Sequence, residues 1–175
     1  TVVVTRGLGV GLDACSAELG PLELSGPITR DNALSAPSTP AETGAYGIVG
    51  RDLGTSTVTL HDIHLRGFAV AAAAFSGGAI TWTGRTDGPD VEASRGVGMA
   101  FFGSAGILGS IEIAGTLSGT IDVGTDILAV NASRLDIDGL TLADGEGFGL
   151  FAEGTPVTLT SASITNLGLS AVRVQ

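Results

Sequence analysis

Three carboxylates and one arginine are the residues of this sequence best suited to chemistry on a polysaccharide: Glu92, Glu112, Asp136 and Arg134. Glycoside hydrolysis needs two carboxylates about 5 to 9 Å apart, on either side of a sugar bond. A lyase instead needs a base, and because the sequence has no lysine, an arginine would have to serve. These residues therefore carry the hypothesis of a carbohydrate-active site, with Arg134 as its cationic partner.

A second acidic group suits a hard cation. It consists of Asp136, Asp138, Asp144 and Glu146. Carboxylate oxygens are the ligands that calcium prefers, but the twelve-residue spacing of an EF-hand is not met. The turn-forming pairs Asp138-Gly139 and Asp144-Gly145 also have a purely structural interpretation. Calcium is therefore a weak prediction here, and the sequence predicts no other cofactor or metal.

An internal repeat indicates the elements that must position these side chains. Each copy of the repeat has four apolar positions, as in Val58, Leu60, Ile63 and Leu65. The first two positions are two residues apart, the middle two are three apart, and the last two are two apart. Copies begin at residues 58, 80, 106, 135 and 157, which are 22 to 29 residues apart. Alternating apolar residues indicate strands, and the step of three predicts a bend that keeps both apolar pairs inward. In the second copy, an insertion over residues 84–90 interrupts the pattern.

A third short strand follows most copies, usually after a glycine. For the copy that begins at residue 106, both 121–123 and 127–130 fit this strand. Three strands in each 22 to 29 residues predict an all-β fold, a parallel β-helix whose coils stack about 4.8 Å apart. A β-sandwich also uses many short strands, but it does not require a repeated signature at near-constant spacing.

The repeat also predicts which side chains face outward. If Val91 occupies the third apolar position, Glu92 and Glu112 fall in one file on adjacent coils, about 5 Å apart. On the third strand the predicted outward residues are small: Ala69, Ala71, Gly98, Ala100, Gly149 and Ser170. Small side chains supply no nucleophile or proton donor, which argues against an enzyme and favours a flat contact face.

The repeat at residues 58–65 resembles the right-handed parallel β-helix of pectate-lyase-like proteins. Residues 77–80, Gly-Gly-Ala-Ile, also resemble an element of bacterial surface β-helix repeats. The resemblance covers roughly residues 46–175 and implies a fold class that includes polysaccharide lyases, galacturonan hydrolases, phage tailspikes and adhesins. It implies a fold more than an activity.

The domain organisation follows from where the repeat is regular. Residues 46–175 are predicted to form regular coils, and residues 1–45 irregular N-terminal coils of the same domain, with a protruding loop at 31–43 that contains Pro37 and Pro40. The absence of an initiating methionine and of a closing turn suggests a fragment of a longer chain. Neighbouring coils of that parent chain are therefore expected partners.

Composition limits the class of partner. The chain has 175 residues and a net charge of −10, which disfavours nucleic acid. No apolar run is long enough to span a bilayer. The sequence favours a non-catalytic scaffold or adhesion module of an extracellular or cell-surface protein, with a polysaccharide as a candidate ligand. The alternative is a carbohydrate-active lyase or glycoside hydrolase.

Overall fold

The computed structural model describes residues 2–3, 8–28, 46–92, 94–117 and 124–175. These residues form strands and connecting turns. The strands are β1 (Val2–Val3), β2 (Leu8–Asp13), β3 (Ala17–Leu19), β4 (Leu22–Ser25), β5 (Tyr46–Arg51), β6 (Gly54–His61), β7 (Ile63–Arg66), β8 (Val70–Phe75), β9 (Gly77–Thr83), β10 (Val91–Glu92), β11 (Val97–Phe102), β12 (Ala105–Ala114), β13 (Thr125–Val130), β14 (Arg134–Ala143), β15 (Phe148–Glu153), β16 (Val157–Leu159), β17 (Ala162–Thr165) and β18 (Val172–Val174).

The chain is an all-β parallel solenoid of about five turns, as the repeat predicts. Each coil crosses a seven-stranded sheet and then an eleven-stranded sheet, which we call the bent sheet. The bent sheet has two limbs: β6 and β9 lie in the first limb, and β7 and β10 lie in the second. The long strands β12 and β14 run through both limbs, so that they join the limbs into one sheet. All pairings between strands are parallel, because each strand lies on its counterpart in the next coil.

The register confirms the five coil starts. Val58 pairs with Ile80, Ile80 with Gly106, Gly106 with Leu135, and Leu135 with Val157. The third strand of the coil that begins at residue 106 is β13, which contains the alternative at 127–130, whereas the alternative at 121–123 lies outside the described residues. The repeat therefore predicts which residues of neighbouring coils pair with each other, because the inward positions of successive coils must coincide to share one core.

Residues with a left-handed backbone conformation lie where the chain turns between strands. At the bend, Asp62 and Ser110 have positive φ angles of 50° and 53°, and Gly139 has 88°. Six residues that each follow a strand of the seven-stranded sheet repeat this conformation: Ala14, Asp52, Ser76, Gly103, Asn131 and Gly154. Short polar residues and glycine accept this conformation most readily, which explains most of the residue types at these corners.

One core runs through the coils, and its side chains compensate for one another in size. Trp82 is fully buried in the same cluster as Ala72 and Ala74 on β8. Gly106 occupies an inward position. A larger residue does not fit there, because a Cβ would lie 2.9 Å from the Phe101 ring and 2.7 Å from Leu135. The glycine thus makes room for an aromatic ring, which keeps the packing dense.

The outward face of the seven-stranded sheet differs from the prediction. Ala100 faces outward in a cluster with Val49 and Ala73, but Ala71 belongs to the main core. The error arises because the strands begin with a step of three, as Val70 and Ala73 share the outward cluster, so strict alternation assigns the first residues to the wrong face. Phe75 and Phe102 stack beside the outward cluster, with ring centroids 5.1 Å apart.

The N-terminal part of the chain contains a further coil. Strands β2, β3 and β4 are in register with the next coil through β5, β6 and β7. The predicted loop at 31–43 lies outside the described residues. Within the part of the chain that the structure describes, no helix has the length and apolar character to cross a membrane.

Candidate functional site

A groove follows the outer side of the bend between the two limbs of the bent sheet. We call it the bend groove. One part is a cavity of about 370 Å³ whose polar lining is Arg85, Ser110, Glu112, Thr141, Ser161 and Ser163. A smaller cavity of about 270 Å³ is lined by Glu23, Asp62 and Arg85 among others. Arg85 lines both cavities and therefore stands at the centre of the groove.

The insertion at residues 84–90, which we call the bend loop, places Arg85 there. Its first residue, Gly84, packs directly on the next coil, since a Cβ at Gly84 would lie 2.0 Å from the carbonyl oxygen of Ser110. The Gly84 amide donates to the Gly109 carbonyl at 2.7 Å. A side chain at Gly84 would therefore force the loop away from the coil.

Asp90 fixes the other end of the bend loop. Its side chain is fully buried, and its two carboxylate oxygens accept the amide protons of Arg85 at 2.9 Å and Glu112 at 2.8 Å. Burial raises the pKa of Asp90 to about 6, while these backbone hydrogen bonds and the charge of Arg85 hold it from rising further. Asp90 thus ties the loop to the neighbouring coil, which is a structural role.

The Arg85 guanidinium is already balanced by carboxylates. Its Nη2 atom lies 3.0 Å from Asp87 Oδ1, and its Nε atom lies 3.6 Å from Asp62 Oδ1. The Arg85 side chain is 13% exposed, whereas those of Asp62 and Asp87 are 55% and 73% exposed. Two carboxylates around one guanidinium leave no excess positive charge to attract an anion.

Hydroxyl groups and one carboxylate cover the larger cavity. The side chains of Ser110, Thr141, Ser161 and Ser163 are exposed there, and Glu112 is half-buried beside them. Hydroxyls both donate and accept hydrogen bonds, and a carboxylate accepts them. This surface matches the hydroxyl groups of a neutral sugar better than it matches a phosphate or sulfate.

The predicted pairing of Glu92 with Glu112 is wrong. Val91 pairs with Leu65 and Ile113, which makes it the fourth apolar position of its coil, and Glu92 therefore lies beside Arg66 and Ala114. Glu112 instead stands opposite the position of Asp90. The cause is the bend loop, because an insertion of unknown path leaves the register of the strand after it undetermined.

Glu92 has its own partners on the preceding coil. Its carboxylate oxygens lie 3.4 Å from His64 Nε2 and 3.7 Å from Arg66 Nε. The three side chains are partly exposed, with 34% exposure for Glu92. They form a surface ion cluster, which stabilises a fold only slightly.

The other predicted site residues are dispersed over the coil. Asp136 lies on the outer face of the first limb, where its Oδ2 atom is 3.4 Å from Arg134 Nε. Asp138 is exposed at the bend, and Asp144 accepts a hydrogen bond from Asn166 Nδ2 at 3.0 Å at another corner. Glu146 is exposed beyond that corner. Among the described residues, no group of three or more histidine, cysteine, aspartate or glutamate side chains is placed to hold a metal ion.

Arg85 and Asp90 are the groove residues that sequence reasoning missed. The signal was present, since the bend loop interrupts the repeat at one coil while the other copies keep it. An insertion into a solenoid coil protrudes from one face and often carries function. The sequence did not predict the contacts of Arg85 and Asp90, because these contacts depend on the coil that stacks beside the bend loop.

Comparison with known proteins adds no relative. No protein-family model matches the chain, and neither a curated protein nor a solved structure matches it with significance.

Proposed function

We propose that this chain is a non-catalytic adhesion module of an extracellular or cell-surface protein, a β-helix of the bacterial surface type that binds a neutral polysaccharide along the bend groove. The observation that carries the proposal is the bend loop. It is tied to the neighbouring coil through Asp90, and it holds Arg85 between two cavities lined by hydroxyls and carboxylates. A pre-formed groove of this kind can bind a ligand without ordering a loop first.

The direction of the groove supports a chain-like ligand. Its lining residues come from successive coils, as Glu112, Thr141 and Ser163 are aligned in adjacent strands. Strands of neighbouring coils lie about 4.8 Å apart. An extended sugar chain that lies along the solenoid axis would therefore meet a polar side chain at each coil.

Binding to an array of neutral and acidic polysaccharides tests the proposal. We expect retention of neutral glycans and a loss of at least tenfold in affinity for Arg85→Ala. Arg51→Ala is the matched control, because it removes the same charge from an exposed arginine at the end of β5, outside the groove. Equal losses for both variants, or binding restricted to acidic glycans, would contradict the proposal.

A product-release assay on each bound glycan addresses the enzymatic alternative. Of the four residues in that hypothesis, Glu112 lines the larger groove cavity, whereas Glu92, Asp136 and Arg134 lie elsewhere. Release of sugar fragments that is lost in Glu112→Gln would favour a carbohydrate-active enzyme. Binding without release would favour adhesion.

A further inference from the structure

A second buried aspartate, Asp126, lies at the start of β13, outside the bend groove. Its residue has no exposed surface, and among the described residues neither of its carboxylate oxygens has a hydrogen-bond partner of full geometry. The residues aligned with it on the two neighbouring coils are Gly98 and Gly149, and the coils beyond them carry Ala71 and Ala171, so this position otherwise holds a small residue. A buried carboxylate without partners is costly, and such a group in a folded protein calls for a compensating contact.

One hydroxyl lies beside Asp126, and two carbonyl oxygens lie beside Gly124, two residues before it. The Thr116 hydroxyl is buried near the carboxylate, and it too lacks a hydrogen bond of full geometry. Two residues before Asp126, the carbonyl oxygens of Thr116 and Leu117 converge on Gly124, each 3.1 Å from where a Cβ would stand. Each of these carbonyls accepts one amide proton, from Glu146 and Gly96 respectively, which leaves a second lone pair on each oxygen.

The carboxylate is separated from an open cavity by a residue without a side chain. A Cβ at Gly145 would lie 3.1 Å from Asp126 Oδ2 and 3.4 Å from Oδ1. Gly145 also lines a cavity of about 740 Å³ together with Asp144 and Glu146. The acidic side chains of Asp144 and Glu146 raise the local concentration of cations in this cavity, and at Gly145 no side chain stands between the cavity and the carboxylate.

We propose that Asp126 and Thr116 bind a calcium ion at this corner between the bent sheet and the seven-stranded sheet. Calcium takes six to eight oxygen ligands in flexible geometry, and protein carbonyls are common among them. A cation can coordinate both carboxylate oxygens and the hydroxyl together, whereas protonation only neutralises the carboxyl and allows one hydrogen bond with the Thr116 hydroxyl. This site uses none of the bend-groove residues, so it goes beyond the proposed adhesion function and does not depend on it.

Calcium titration of the full chain after treatment with a chelator tests this site. We expect heat release in calorimetry with about one ion per chain, and a rise in the unfolding temperature of about 5 °C or more at saturating CaCl₂. MgCl₂ should give a smaller rise, because magnesium retains its water ligands and needs near-octahedral geometry. No calcium response in the unmodified chain, or a larger response to magnesium, would overturn the proposal.

Variants locate the bound ion. Asp126→Asn should lose the calcium-dependent rise, and Thr116→Val, which keeps the carboxylate, should weaken calcium affinity about tenfold. Asp136→Asn is the matched control, since it removes an acidic side chain from the partly exposed face of the first limb and should keep the full rise. If Asp126→Asn retains the response, or if Asp126→Asn fails to fold and Thr116→Val binds calcium as tightly as the unmodified chain, the site is not at Asp126.

Discussion

Asp90 and Asp126 are two fully buried aspartates of one solenoid, and they differ in the groups that contact their carboxylate oxygens. Asp90 accepts an amide proton on each oxygen, from Arg85 and from Glu112 on the next coil. Asp126 accepts no amide proton from the described residues and has the Thr116 hydroxyl beside it. Burial raises the pKa of both, to about 6 for Asp90 and to about 7 for Asp126. Both carboxylates are fully buried, so the difference between them lies in their hydrogen-bond partners. We therefore expect Asp90 to hold the bend loop on the next coil and Asp126 to bind a cation.

The largest expected effect comes from removing the satisfied carboxylate. Asp90→Ala should lower the free energy of unfolding by about 4 kcal/mol, because two buried amides lose charge-assisted hydrogen bonds. Urea unfolding at pH 7 measures the loss. Asp90→Asn should retain part of the stabilisation, since its side-chain amide oxygen can still accept one hydrogen bond. A loss below about 1 kcal/mol for Asp90→Ala would show that the bend loop does not depend on this contact.

The opposite sign is expected at Asp126 when no calcium is present. In a chelator at pH 8, Asp126→Asn should raise the free energy of unfolding by about 3 kcal/mol, because it removes a charge that burial destabilises. The same urea experiment compares it with Asp90→Asn. If both variants change stability in the same direction, the contrast between the two sites is wrong.

The pH dependence of stability follows from the same two groups. Each folded-state pKa lies above the unfolded value of 3.8, so the folded chain binds protons more tightly and its stability rises as the pH falls. The gain begins near pH 8 with Asp126, next to the Thr116 hydroxyl, and continues below pH 7 with Asp90, which faces Arg85 and Glu112.

Unfolding in a chelator at several pH values checks this expectation. From pH 8 to pH 5.5 we expect a gain of about 3 kcal/mol, about two thirds of it absent in Asp126→Asn. Stability that falls steadily over this range would show that neither carboxyl has a raised pKa in the folded chain.

The smallest effect concerns the hydroxyl beside Asp126. The Thr116 hydroxyl lowers the pKa of Asp126 against the larger effect of burial. Thr116→Val should therefore raise the pH at which stability begins to climb, while the free energy of unfolding at pH 8 changes by less than about 1 kcal/mol. An unchanged pH midpoint would place the hydroxyl too far from the carboxylate to act on it.

The sequence by itself determined the solenoid and most of its register. The repeated apolar positions aligned five coils correctly, because inward residues of stacked coils must coincide to share a core. The turn residues at the bend were also visible, since Asp62, Ser110 and Gly139 are of types that accept left-handed backbone.

Only the tertiary structure decided the contacts of the acidic side chains. The bend loop shifted Glu92 away from Glu112 and brought Asp90 between two amides. Asp126 was indistinguishable from an exposed strand residue until the corner closed over it. The physical reason is that a side chain in a solenoid contacts the adjacent coil, which is about 22 to 29 residues away in the sequence. A local sequence pattern does not predict which atoms of that coil the side chain contacts.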